Sequence, residues 1–127
     1  MGGDKHLAAC QCGAARAEMN GAPKFISNCH CAACRKATGA AFSTWVGFPE
    51  EHVRWLTGAP SFYASSTGVT RGFCGKCGTP LTYASDKWPG ETHFLIGVME
   101  NPETYTPGSD AFADEALAWA QHIEGQQ

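Results

Sequence analysis

The stretch "FCGKCGTPL", Phe73 to Leu81, decides the fold, because Cys74 and Cys77 stand two residues apart in a glycine-rich turn. That is the form of a zinc knuckle, in which glycine, here Gly75 and Gly78, permits the sharp backbone path around a metal. A knuckle supplies two of the four thiolates that a closed tetrahedral zinc site takes. The other two are expected from "CQCG", where Cys10 and Cys12 also precede a glycine, Gly13. Together Cys10, Cys12, Cys74 and Cys77 make a four-cysteine structural site, and the metal staples the start of the chain to a point more than sixty residues later. The competing reading is a redox Cys-x-x-Cys pair. That motif needs a strand followed by a helix around the cysteines, and none is expected around Cys74 and Cys77.

Three further thiols, Cys29, Cys31 and Cys34, crowd into "NCHCAACRK", Asn28 to Lys36. Three thiolates leave one zinc position for water or substrate, which is the arrangement of a catalytic metal. Two zinc ions per chain are therefore expected. A zinc ion with three thiolates carries a net −1, so it is a weak Lewis acid and a poor source of hydroxide. It is suited to holding a fourth thiol as a nucleophilic thiolate. The expected ligand is a small thiol, with Cys29, Cys31 and Cys34 at the reacting centre. Arg35, Lys36 and Arg71 are expected to offset anionic charge and to hold substrate carboxylates; the bland alternative makes them solvated surface charges.

Other residues near the triplet have competing readings. His30 lies between two ligands and is a candidate metal ligand or proton relay, although neighbours in an extended chain point to opposite sides. His52 and His93 read as surface or core-edge residues. Trp45, Trp55 and Trp88 read as core or rim aromatics, and an aromatic wall beside an open metal would suit a small organic ligand.

Bulk composition agrees with a soluble protein of this kind. At 127 residues, 43% hydrophobic and 17% charged, the chain is expected to form one domain, residues 1–127, with one core. A net charge of −3 argues against nucleic acid as partner. The first residues lack the apolar run of a secretory signal, and no apolar run is long enough to span a membrane. A cytoplasmic location is expected, and there seven cysteines, an odd number, point to metal rather than disulfides. No heptad pattern specifies an oligomeric partner.

Segments rich in Thr, Val, Phe, Tyr and Trp, broken by Gly and Pro, predict a mainly β protein of short antiparallel sheets with few short helices. Strands are expected near Ala15–Met19, Lys24–Ser27, Ala41–Phe48, Ser61–Ser65, Val69–Phe73, Thr79–Ala84 and Thr92–Met99. Ser65–Gly68 reads as a hairpin turn. One or two helical turns are expected over Pro49–Leu56. A C-terminal helix is expected after a Ser109 or Asp110 cap, from the spacing of Phe112, Ala116, Trp119, Ala120 and Ile123, ending at Gly125.

The segments "CQCGAAR", "CHCAACRKATGAAF", "TGAPSFYASSTGVTRGFCGKCGTPLTY" and "IGVMENPE" resemble, in order and spacing, the glutathione-dependent formaldehyde-activating family, whose domain is shared with centromere protein V. The resemblance runs from about Cys10 to Glu103. It implies a beta-tent fold stapled by zinc, with a structural zinc at Cys10, Cys12, Cys74 and Cys77 and a second zinc at Cys29, Cys31 and Cys34. It further implies a carbon–sulfur lyase activity, the addition of the glutathione thiol to formaldehyde to give S-hydroxymethylglutathione. Two positions depart from the family pattern: Ala9 stands where glycine is common, and "PGSDAFADEALAWA" keeps Pro107 and Trp119 but lacks a histidine common near that end. The readings that compete with the enzyme are a zinc-stabilised binding module for protein or nucleic acid and a B-type methionine sulfoxide reductase. The reductase requires a metal-free cysteine, which filling both sites would not leave.

Overall fold

The computed structural model of the chain describes residues 4–58 and 60–120. Its elements in chain order are β1 (Lys5–Ala9), β2 (Arg16–Asn20), β3 (Phe25–Cys29), α1 (Ala32–Thr38), β4 (Ser43–Pro49), β5 (Val53–Trp55), β6 (Ser61–Ser66), β7 (Val69–Phe73), β8 (Pro80–Ser85), β9 (Glu91–Leu95) and β10 (Ser109–Ala111), with short 3-10 turns between some of them. The protein is mainly β. Three strands form a small sheet in the order β1-β2-β5, and seven form a larger one in the order β10-β3-β4-β9-β8-β7-β6. Neighbours are antiparallel throughout, except that β10 runs parallel to β3. Among the described residues no helix is long and apolar enough to cross a membrane.

Strand periodicity gives the large sheet two different faces. The pairing register lines up Phe25, Gly47, His93, Tyr83, Arg71 and Tyr63 in one row across six strands. The adjacent row contains Ile26, Val46, Phe94 and Thr82. Successive side chains in a strand point to opposite faces, so the two rows are turned away from each other. The second row packs into the main core, where Val46, Phe48 and Phe94 meet Ala8, Met19 and Met99 beneath the small sheet. Burying each of the two phenylalanines contributes roughly 2–3 kcal/mol. Gly47 is required by the first row, since a Cβ there would fall within the ring of Phe25.

Local chemistry explains where the structure departs from the expected elements. The triplet segment, which no expected element covered, turns into α1 immediately after β3, because "AACRKAT" consists mostly of good helix formers and Cys31 caps it. Pro49–Leu56 is not helical beyond a single 3-10 turn at Glu50–His52, and Val53–Trp55 instead pairs with β2. There the β-branched and aromatic side chains bury against the core. Strand β9 stops at Leu95, after which Ile96–Val98 forms a 3-10 turn. Residues 109–120 contain no α-helix: Ser109–Ala111 adds to β3 as a strand, and Phe112 adopts a left-handed conformation with φ 54° that ends any regular run. The expected positions Ile123 and Gly125 lie outside the described residues. Strand β1 was not expected; "KHLAA" is weak in β-formers and gains its place by pairing with β2 along its whole length.

Candidate metal centres and the cavity above the triplet

The fold gathers the cysteines into two clusters, Cys10, Cys12, Cys74 and Cys77 in one, Cys29, Cys31 and Cys34 in the other. Within each, the sulfurs lie within 4.8 Å of one another. In the first, Cys10 and Cys12 Sγ are 3.6 Å apart and Cys12 and Cys74 Sγ are 3.8 Å apart. In the second, Cys29 Sγ is 3.6 Å from both Cys31 and Cys34. Four sulfurs set tetrahedrally at ~2.3 Å from a zinc ion stand about 3.8 Å apart, so both sets fit such an ion without rearrangement.

Backbone amides support the four-cysteine cluster. Cys10 Sγ accepts from the Ala15 amide at 3.2 Å, and Cys74 Sγ accepts from Lys76 and Cys77 at 3.3 and 3.4 Å. Both loops turn through a glycine in the left-handed region, Gly13 at φ 82° and Gly78 at φ 84°. The Thr79 hydroxyl, 3.0 Å from Cys77 Sγ, is the main reason that thiol is held down to about 5. Cys10 and Cys74 are buried, while Cys12 and Cys77 reach the surface.

The three-cysteine cluster is built locally. Cys29 ends β3, Cys31 caps α1 with its sulfur accepting the Cys34 amide at 3.3 Å, and Cys34 lies in the first helical turn. Bonds from Cys29, opposed by burial and helped by Cys31 and Arg71, lower the Cys34 thiol to about 5. The same contact with Cys34, together with burial, pushes Cys29 up. Arg71 Nη2 lies 3.9 Å from Cys34 Sγ.

Above this cluster opens a cavity of about 740 Å³. Its wall includes the first row of the large sheet, namely Phe25, His93, Tyr83, Arg71 and Tyr63, together with Trp45. Arg71 is buried, donates through Nε to Ser65 Oγ at 3.3 Å and lies 5.1 Å over the Tyr83 ring. Lys36 and Trp88 also line the cavity, whereas Trp55 packs into the core. Arg35 does not line it. Its Nη1 donates to the carbonyls of His30 and Glu115 at 2.7 and 2.8 Å, and the Glu115 carboxylate accepts the Ala32 amide at 3.1 Å. The expected role of Arg35 in holding substrate is replaced by that of a clasp between the triplet segment and residues 109–116. His30 is likewise outside the cluster: it is fully buried and pairs with Asp110 at 2.8 Å.

Sequence reasoning missed the contributions of Tyr63, Tyr83 and His93 to the cavity. The usable signal was parity. Each occupies an alternate position in a strand whose other positions are apolar or small, and register places all of them in the row of Arg71.

Comparison with known proteins bears on what this arrangement serves. The family model for glutathione-dependent formaldehyde-activating enzymes matches residues 5–115, most of the chain. The chain belongs to that family. No curated protein sequence matches it significantly. Among solved structures, a crystal structure of a Rhodobacter sphaeroides protein is similar, with a TM-score of 0.63 and 22% identity over 75% of this chain and 88% of the other. At that identity the likeness concerns the fold. Family membership supports glutathione-dependent formaldehyde activation, and the two cysteine clusters could hold metal ions.

Proposed function

We propose that the chain binds glutathione or a similar small thiol above Cys29, Cys31 and Cys34 and promotes its addition to formaldehyde or another small aldehyde. The carrying observation is that the three-sulfur cluster, which fits a tetrahedral ion one ligand short, opens onto a cavity with a buried arginine beside it. A zinc ion held there would supply one further coordination position, at which an incoming sulfhydryl is stabilised as thiolate. The residues of the chain do the rest. Arg71 offers a buried, fixed cation to a substrate carboxylate or to the oxygen that gains charge as the aldehyde is attacked. Lys36 offers a second cation, which suits a ligand bearing more than one carboxylate. Trp45, Tyr63 and Tyr83 exclude water around the reacting atoms. In this reading Cys10, Cys12, Cys74 and Cys77 hold a structural zinc, the fold is a beta-tent, and the protein acts in the cytoplasm as a carbon–sulfur lyase.

Calorimetric titration of the two-zinc protein with glutathione, cysteine and other low-molecular-weight thiols tests the reading. Binding that disappears in Cys34→Ser, with the fold intact by circular dichroism, is the expected result. Absence of binding by every thiol would remove the basis for the proposed role.

A further inference from the structure

A buried histidine in the cavity wall has a chemistry that thiol binding alone does not use. His93 is 5% exposed, lines the cavity and stands next to Tyr83 in the row that leads to Arg71. Its Nε2 is 2.9 Å from Glu91 Oε1, and Glu91 Oε2 is 2.9 Å from Lys24 Nζ. Burial raises the Glu91 carboxyl, but its bonds with Lys24 and His93 outweigh this and hold it below the ordinary carboxylate range. An ionised carboxylate only accepts, so Nε2 carries the proton and Nδ1 carries the lone pair. Phe25 meets the ring edge-on at 4.7 Å and Tyr83 packs against it at 5.5 Å, so its orientation is fixed.

The charges around the ring decide when it takes a proton. Burial lowers the His93 pKa, against the opposing pull of Glu91 and Cys34, so the imidazole is neutral before substrate arrives. The facing groups are Glu91 on its own strand, Lys24 just before β3, Tyr83 on β8, Arg71 on β7 and Cys34 on α1. Gly47 on β4 and the Phe25 ring bring no charge. A thiol entering the cavity must lose its proton to become a nucleophile, and the anion it leaves favours a cation nearby.

Resting on the proposed thiol binding, we infer that His93 is a proton acceptor and donor for the reaction. It takes the sulfhydryl proton on Nδ1 as the sulfur enters and gives it to the aldehyde oxygen as the carbon–sulfur bond forms. Atoms and electrons balance within the pair of substrates. The sulfur lone pair forms the bond to carbon, the carbonyl π pair moves to oxygen, and the imidazolium proton completes the hydroxyl, leaving neutral His93. Glu91 and Lys24 act as positioning residues, because they fix the tautomer through Nε2.

The test counts protons. The zinc-loaded protein is titrated with glutathione at about pH 7.5, where the free thiol is mostly protonated, in buffers of different ionisation enthalpy. If His93 keeps the proton, binding to the wild type releases well under one proton to the buffer. In His93→Gln the release rises to about one per thiol bound. A full proton released by the wild type, with binding intact, overturns the inference and leaves the proposed function standing. No thiol binding by the wild type overturns both. Nitrogen-15 spectra of His93 in the wild type give a second readout independent of the variant's folding: the ring should change from neutral to doubly protonated on thiol addition, and an unchanged ring counts against the inference.

Discussion

The two cysteine clusters contain the same chemistry in opposite settings. The four-cysteine cluster draws its sulfurs from two loops more than sixty residues apart, and two of its members reach the surface. The triplet comes from six consecutive positions and opens onto a cavity lined by an arginine and aromatic rings. A cluster that ties distant segments together contributes to the stability of the whole fold, because its closure removes freedom from a long loop. One that is already local contributes little to chain closure, so its sulfurs are available for chemistry.

The largest effect that could break this contrast is Cys74→Ser. Metal-binding free energy at a structural zinc site is of the order of 10 kcal/mol, comparable with the entire stability of a domain. The variant is expected to be unfolded by circular dichroism at room temperature and to contain little zinc by mass spectrometry. A folded Cys74→Ser protein would show that the two clusters do not differ in this respect. Cys34→Ser comes next: it should lose one metal and all thiol binding while its unfolding free energy from urea denaturation changes by no more than about 1–2 kcal/mol. Arg71→Gln sharpens the picture of the open cluster. Loss of a buried cation beside the sulfur should weaken thiol binding roughly 10- to 100-fold by calorimetry, with both metals retained.

Two smaller effects probe the sheet that carries the cavity. Gly47→Ala places a methyl group against the Phe25 ring and should cost about 1–3 kcal/mol in urea denaturation. Glu18 accepts from Lys5 at 2.9 Å and Arg54 at 2.8 Å, and these bonds hold its carboxyl below the ordinary range. Its folded pKa is depressed, so its contribution is complete above about pH 4.3 and is lost as pH falls through the folded value. Acid titration of unfolding should show a slightly flatter acid limb in Glu18→Gln, and an identical limb would mean that the pairs are too exposed to matter.

Spacing made the two cysteine clusters legible in the sequence. Cys74 with Cys77 and the dense triplet announce themselves in the order of residues, since a metal imposes short separations on its ligands. Most strands of the large sheet were legible too, because Val69–Phe73 and its neighbours have strong β-formers between turn residues. Strand β10 was not, because its three residues acquire their conformation only by pairing with β3 across eighty positions. The contacts of Arg35 are not legible for a similar reason: a basic residue beside three thiols suggests an anion partner, and only the returning chain brings the carbonyl of Glu115 to it. The aromatic and histidine wall depends on register between strands, which local pattern does not specify.

The parallel pairing of β10 with β3 also bears on the order of assembly. The triplet and its helix are complete in the sequence by Thr38, yet the clasp through Asp110 and Glu115 is translated some eighty residues later. A chain arrested before Ser109 would therefore carry the three thiols without β10 and without the Asp110 and Glu115 contacts that brace their segment.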